Sequence, residues 1–503
     1  MSETRDRSRT IFGNRIGEAT CRKAVKQKNA FLKKFGDDRS NGFCLSSEEI
    51  PELAALGIRN LKVEPRGTHA AGSSSPAAFE FPAGEKPMVI GNIRMGFGHY
   101  RIAIAMASAA RSMGFTPYLF DLHSFKETTG GKIIGKLNAL YSFGSRLSQK
   151  SALFNRFYWE PLNSEGFRKL AYNACDQKTA ELMATPCSLL PRDIPFIATH
   201  VWPSQAAVHA GISRVVNAVP DNWPMALHLS EGAIHAVQTP SAWFGYKTLN
   251  GMCGKSILAP MPEGSLVHTG HYIDHELVSN LKADTAARID RLSSGKPLRI
   301  LLAVGGAGAQ GDFYASLLRC LVPLAKQEKV ALFINVGDHK SVLEGLFRDV
   351  PELHGAYLHD GDWDDAAAYA REALDGPARG MHVFHNREIF SAVYITNLLM
   401  RASDILVTKP SELAFYPVPK LHIRRVGGHE AWGAVRSAEV GDGTIECPTP
   451  EQAVQMLSVL LEHPEALSLM NASILNANKA GVYSGAYRCV ALAAGIEYKG
   501  DSQ

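Results

Sequence analysis

The chain repeats one local grammar twice: a short apolar run, a glycine-rich turn, then a helical stretch. Residues 87–93 form the first run, followed by Arg94-Met95-Gly96-Phe97-Gly98-His99-Tyr100 and an unbroken helical pattern over 101–113. The second begins at 298–304, passes through the loop 305–311 (GGAGAQG) and continues as an amphipathic pattern over 312–326. A glycine turn between strand and helix lets backbone approach a ligand and aims a helix N-terminus at it. Two such units in one chain predict an α/β protein with two doubly wound, Rossmann-like domains.

The length agrees with this. At 503 residues the chain exceeds one ordinary α/β core, so two or three domains are expected. Further strands are expected at 116–121, 195–199, 213–219, 233–238 and 265–269 in the first half. The second half is expected to add 331–336, 405–408 and 420–424, with helices at 451–462 and 464–480. The expected boundaries are an N-terminal extension and linker at 1–86, a first Rossmann-like domain at 87–280, a second at 297–480, and a C-terminal helix in 481–503 returning to the first domain. Within the extension, 22–35 reads as a basic helix, and 67–86, rich in Gly, Ser, Pro and Ala, reads as the linker.

Charge adds little. The net charge is +4, with 14 Lys+Arg against 9 Asp+Glu in residues 1–66, so the body is near neutral and gives no case for nucleic acid. The eight cysteines form no CxxC pair, which argues against a zinc site. Cys187, Cys253, Cys320 and Cys489 sit among apolar neighbours and read as core residues, consistent with a reducing compartment. No apolar run approaches the roughly 18–20 residues that span a bilayer, and the first ten residues lack a signal-peptide core. A cytoplasmic protein is expected.

The second loop fits G-x-G-x-x-G through Gly306, Gly308 and Gly311, with Asp338 at the end of the next strand, where a dinucleotide site places its ribose carboxylate. That keeps a nicotinamide-dependent dehydrogenase open. A dehydrogenase, however, needs one dinucleotide fold and a differently built substrate domain. Two nucleotide-type folds suit a cleft enzyme holding donor and acceptor on separate halves.

Several motifs carry a family resemblance. Gly96-Phe97-Gly98-His99 and the helix after it resemble the Gly-Gly-His loop of GT-B glycosyltransferases. Residues 215–223 (VVNAVPDNW) and 233–243 are similar to the family's strand ending in Asp near a Trp and its later strand ending in a Pro-Ser turn. Residues 403–412 (SDILVTKPSE) resemble its "aDxxITK" strand and the loop that follows, and 419–434 its tail with a Gln-Glu pair. The look-alikes are the N-acetylglucosaminyltransferase that makes lipid II and the plant-type monogalactosyldiacylglycerol synthases, a family 28-like group. The resemblance covers roughly 87–480. The first loop has fewer glycines than the family prefers, 409–412 shortens a family loop, and His429 stands where Gln is usual.

The resemblance implies a glycosyltransferase moving a sugar from a nucleoside-diphosphate sugar, uridine-linked in the look-alikes, to an acceptor hydroxyl with inversion. The nucleotide sugar is a co-substrate, and no separate cofactor is implied. Such a reaction needs a base for the acceptor proton, and a histidine suits it. The family places its loop histidine there, which points to His99, with Asp221 as the rival. His99 capping its helix and Asp221 making an Asx-turn are the plain alternatives. Gly96, Gly98 and His200 would line the acceptor or phosphate side, His200 being equally readable as a buried histidine.

The matching family Glu accepts both ribose hydroxyls, which points to Glu412; a first-turn Glu favoured by the helix dipole is the alternative. Ser411 would N-cap that helix and bind phosphate. Thr408, Lys409 and the loop glycines Gly305, Gly306 and Gly308 would face the diphosphate, Lys409 as a point charge. Gly428, His429 and Glu430 would hold donor-sugar hydroxyls, unless they form a plain surface turn. His385 and Asn386 would flank the nucleobase.

The acidic stretch Asp360-Gly361-Asp362-Trp363-Asp364-Asp365 reads as a first-turn cluster ahead of a helix rather than a metal motif; no catalytic metal is expected. The look-alikes use lipid-linked acceptors at membranes, which implies peripheral contact with the inner face of a membrane. No strongly apolar surface helix is evident in the first half, so a soluble acceptor stays open. A sugar-nucleotide epimerase on the same fold and a non-catalytic binder are the alternatives.

Overall fold

The computed structural model describes residues 6–39, 42–65, 78–94, 96–306, 308 and 310–500. They divide into two units. The first comprises the chain before Gly96, Ala105–Gly270, and the segment from Gly485 onward; the second comprises Gly96–Ile104 and His271–Ser484. Loop residues Met95, Ala307 and Ala309, and most of the expected linker, 67–77, lie outside the described residues.

The first unit is built on an eight-stranded sheet. Its strands are β1 (Phe43–Glu49), β2 (Arg59–Pro65), β3 (Pro87–Asn92), β4 (Thr116–Asp121), β5 (Phe196–Ala198), β6 (Val215–Ala218), β7 (Ile234–Val237) and β8 (Leu266–His268). The order is β8-β7-β6-β5-β3-β4-β2-β1, and only the β1–β2 pair is antiparallel. The central strands are buried along their length, as covering both faces with helices demands.

The N-terminal segment is integral to the first unit. β1 and β2 extend the main sheet, and α1 (Glu18–Phe35) buries Cys21, Ala24 and Phe31. Polar residues dominate its composition and mask a period-2 pattern that turns Phe43 and Leu45 inward beside Leu61. Gln27 donates to Thr179 at 3.2 Å and Lys28 pairs with Glu181 at 2.5 Å, so part of the basic helix's polar face is spent on the unit itself.

Helix α2 (Gly98–Ser112) follows β3, and α3 (Thr129–Lys150) begins at Thr128, whose hydroxyl accepts from Gly131 N at 2.9 Å. α4 (Val201–Ala210) follows β5, and the C-terminal helix Gly485–Ala494 packs on β5 and β6. Against expectation, the first half does carry an apolar surface: Leu140 and Phe143 on α3 and Leu153, Phe157 and Tyr158 after it are 56–71% exposed. Cys187 and Cys489 are buried, whereas Cys253 and Cys320 are exposed, contrary to their apolar neighbourhoods in sequence. Cys320 lies on the outer side of an amphipathic helix, where sequence neighbours do not report burial.

The second unit holds a six-stranded, wholly parallel sheet. Its strands are β9 (Leu298–Ala303), β10 (Val330–Gly337), β11 (Tyr357–Asp360), β12 (Met381–His385), β13 (Ile405–Thr408) and β14 (Lys420–His422), in the order β11-β12-β10-β9-β13-β14. Around it lie α5 (Gly311–Lys326), α6 (Trp363–Asp375) and α7 (Ile389–Ala402). Phe313, Leu317 and Leu321 of α5 repeat at helical spacing and pack on Ile300 and Leu302. The chain is therefore an α/β protein of two doubly wound parallel-sheet units. Among the described residues no helix is long and apolar enough to cross a membrane.

Candidate functional site

In the second sheet the chain leaves β9 to one side for β10 and returns to the other side for β13. That reversal is a topological switch point, where open parallel sheets bind ligands beyond their strand C-termini. The loops leaving β9 and β13 are the two that the sequence singles out. A third loop meets them, because Gly96–Ile104 belongs to this unit.

Gly306 is where the loops touch. A Cβ there would overlap the backbone nitrogen of Phe97 and stand 2.9 Å from Gly96 Cα, so only glycine fits. The Phe97 ring is buried over Gly337 and lies 5.4 Å, centroid to centroid, from the His339 ring. His339 Nε2 in turn stands 3.2 Å from Gly305 O. The loop closes through Gln310, whose φ of 70° is uncommon for a side-chain-bearing residue, and its amide donates to Arg424 O. Non-glycine residues held there mark constrained segments.

From β13 the Lys409 side chain runs along Gly305 and ends in an ion pair with Glu430. The two side chains are 15% and 10% exposed, so the pair is largely desolvated. Glu430 also accepts from Val426 N at 2.7 Å and Gly427 N at 3.3 Å. Burial pushes its carboxyl up, but the charges of Lys409 and His429 and the bonds from Lys409 and Val426 outweigh it, leaving the group below its ordinary value. His429 folds its ring over Gly427. Gly428, His429 and Glu430 therefore form a built turn and not a plain surface loop.

Glu412 opens a single 3-10 turn, Glu412–Phe415, and its carboxylate lies against Gly98, where a Cβ would stand 2.6 Å from Oε2. Ser411 makes no side-chain cap, contrary to expectation, because the short turn replaces the helix that would need one. Thr408 is buried and its hydroxyl donates to Lys409 O at 3.2 Å, so it is spent on the backbone.

His99 sits in the first turn of α2, half-buried. The same turn is anchored by Arg101, which sequence reading passes over. The buried Arg101 guanidinium donates to Asn397 Oδ1 and lies 5.8 Å from the Tyr416 ring centroid. Asn397 and Tyr416 both donate to Asp274, each at 2.8 Å. Burial and the nearby Glu276 raise the Asp274 carboxyl to about 7, against the Tyr416 bond and the Arg101 charge. Its folded value exceeds the unfolded one, so its contribution to stability is complete below about pH 4 and is lost as pH rises towards 7. Chemical denaturation of wild type and Asp274→Asn is expected to show a stability difference that changes by about 1.4 kcal/mol per pH unit across that window.

His385 and Asn386 follow β12. His385 Nδ1 stands 2.6 Å from Asp360 Oδ1, and Asn386 N donates to Gly337 O at 2.9 Å. The Asn386 side-chain amide nitrogen is buried with no hydrogen-bond partner, which makes it a donor facing no acceptor within the protein. The acidic stretch is committed locally: Asp362 caps α6 through Asp365 N at 3.0 Å, and Asp365 stands 2.5 Å from His359 Nδ1.

His200 and Asp221 belong to the first unit. His200 caps α4, its Nδ1 accepting from Trp202 N at 3.1 Å, and is 4% exposed. Asp221 stands 2.9 Å from Nε2 of the buried His228, a partner the sequence reading missed although it lies only seven residues on. The second-unit loops thus bring together Gly96, Gly98, Gly305, Gly306, Gly308, Lys409, Glu412 and Glu430. Missed there were Phe97, Arg101 and His339; the last follows Asp338 at a strand end and was open to detection.

Residues 10–248 match a family model described as Domain of unknown function (DUF6937), and residues 261–494 one described as Domain of unknown function (DUF6938). No curated protein matches the chain. Among solved structures it is similar to an S. aureus MnaA–UDP co-structure, at 11% identity over 81% of this chain and 94% of that one, TM-score 0.43. It is also similar to UDP-GlcNAc 2-epimerase from Neisseria meningitidis bound to UDP-GlcNAc (14%, 79% and 98%, 0.40). A third likeness is to α,α-trehalose 6-phosphate synthase from Burkholderia multivorans (12%, 82% and 98%, 0.41).

Proposed function

We propose that the chain is a glycosyltransferase that takes a sugar from a nucleoside diphosphate, with the donor held by the second unit. The observation that carries this reading is the cluster at the switch point: a glycine loop, a lysine and two glutamates in the loops after β9, β13 and β14. Gly305 and Gly306 offer backbone to a diphosphate, and Lys409 supplies the positive charge that a departing diphosphate needs. Glu412 is set to accept the ribose hydroxyls. Asn386 offers its orphaned amide to a base edge, and the GT-B resemblance favours uridine there. His99, in the helix turn beside Glu412, is the residue we assign to the acceptor proton, with Asp221 as second choice.

Lys409 is paired with Glu430. In this reading the diphosphate shares the lysine, and Glu430 turns to the sugar hydroxyls together with His429. The reaction breaks the anomeric carbon–diphosphate bond and forms one to the acceptor oxygen, whose proton goes to the base. No step calls for a metal.

Incubation with a panel of nucleotide sugars, with and without sugar and lipid acceptors, tests the reading. Diphosphate release that depends on an added acceptor is the expected result. Release without acceptor, accompanied by an altered sugar, would establish the epimerase alternative instead. Glu412→Gln weakens the charge-assisted bonds to ribose, each worth about 1.5–3 kcal/mol. It is expected to raise KM for the nucleotide sugar about ten- to hundredfold while kcat changes little, as steady-state kinetics would show.

A further inference from the structure

We infer that the helical hairpin formed by α3 and residues 152–159 is a docking surface for a membrane rich in anionic phospholipid. The hairpin turns at Ser151, whose backbone is extended, and its seam is closed by Trp159 packing against Gly144 and, at 5.1 Å between ring centroids, Tyr141. With Trp159 buried in the seam, the hairpin leaves five large apolar side chains outside: Leu140 (56% exposed), Phe143 (61%), Leu153 (70%), Phe157 (71%) and Tyr158 (59%). Leu140 and Phe143 are three apart, and Leu153 and Phe157 four apart, so each pair shares a helix face. Such a concentration of exposed aromatic side chains marks an interaction surface.

Charge selects the occupant. Residues 129–159 contain Lys132, Lys136, Arg146, Lys150 and Arg156 and no Asp or Glu, more positive charge than the +4 of the whole chain. Lys132 is exposed, and the exposed Arg156 guanidinium lies 5.6 Å from the Phe157 ring centroid, a cation beside an aromatic ring. Aromatic side chains that enter the headgroup boundary, with Lys and Arg around them, are the composition of an interfacial helix. Each basic residue near an anionic bilayer adds attraction. A second copy of the chain is the poorer fit, because a twofold contact would set this stretch, basic and without acidic residues, against itself. The inference rests on the exposed face alone. Vesicle binding needs no nucleotide sugar, so its failure and the failure of the transferase reading are separate results.

Co-sedimentation with vesicles of phosphatidylcholine alone and with 30 mol% phosphatidylglycerol tests it. The full chain is expected to bind the anionic vesicles, about tenfold more weakly in high salt, and to leave the neutral ones largely in solution. Phe143→Ser/Phe157→Ser and Lys132→Glu/Arg156→Glu are each expected to reduce recovery at least about tenfold. Both pairs are solvent-exposed, and an unchanged melting temperature confirms that each variant folds. Failure of the full chain to bind, or binding unchanged in the Phe143→Ser/Phe157→Ser variant, overturns the inference. So does a dimer, seen by light scattering, that this variant dissolves.

Discussion

Gly306→Ala is expected to lower kcat/KM at least about 100-fold, with little loss of stability in the sheet beneath. The added methyl meets backbone, Phe97 N and Gly96 Cα, not the movable end of a side chain. One of the two loops must therefore retreat by about an ångström, and displacements of that size at a reacting centre cost on the order of 10²-fold. Gly98→Ala supplies the contrast. There the new methyl meets the Glu412 carboxylate, which can swing aside, so the main expected effect is weaker nucleotide binding. Steady-state kinetics on both variants, with far-ultraviolet circular dichroism as a control, separates loop displacement from loss of a ligand contact.

Lys409→Met is expected to lower both catalysis and stability, and the two effects part in a double variant. Removing the ammonium leaves Glu430, 10% exposed, as an uncompensated buried charge, at a cost of about 3–5 kcal/mol. It also removes the cation that would face the departing diphosphate, worth on the order of 10²–10³ in kcat. Lys409→Met/Glu430→Gln removes both charges, so most of the stability returns while activity stays low. The pH dependence has a definite sign. In the wild type the Glu430 carboxyl is held below its unfolded value despite burial, which acts to raise it. Its contribution is complete above about pH 4.3 and fades as pH falls through the lower, folded value. In Lys409→Met the opposing charge is gone, so burial governs: the carboxyl rises and protonates at higher pH, and the stability deficit shrinks as the medium is acidified. A deficit independent of pH would place the effect of Lys409 in its packing alone.

How much of this is legible in the sequence depends on whether the signal is local. The strands Thr116–Asp121 and Ile405–Thr408 end where the apolar runs end, because buried parallel strands read as continuous Val, Ile, Leu and Phe. Both glycine loops are visible for the same reason. The N-terminal strands are not, since Phe43, Leu45 and Leu61 are scattered among charges and gain meaning only from the sheet edge they join. The hairpin after Thr128 escapes notice because its apolar residues alternate with Ser, Asn and Lys, and nothing local says that they stay outside. In the site, Lys409, Glu412 and Glu430 stand out as charges in loops. That Lys409 and Glu430 are one pair, 21 residues apart, is a fact of the fold. Arg101 reads as the first polar residue of a helix, and its bond to Asn397 spans 296 residues.

Titration calorimetry with uridine diphosphate and uridine-diphosphate sugars tests the central claim most directly, because it asks only whether the switch point of the second unit takes a nucleotide. The account predicts one site per chain, with binding abolished in Gly306→Ala and weakened about tenfold or more in Glu412→Gln. The absence of binding for uridine and every other nucleoside diphosphate, or binding that both variants leave unchanged, would contradict it.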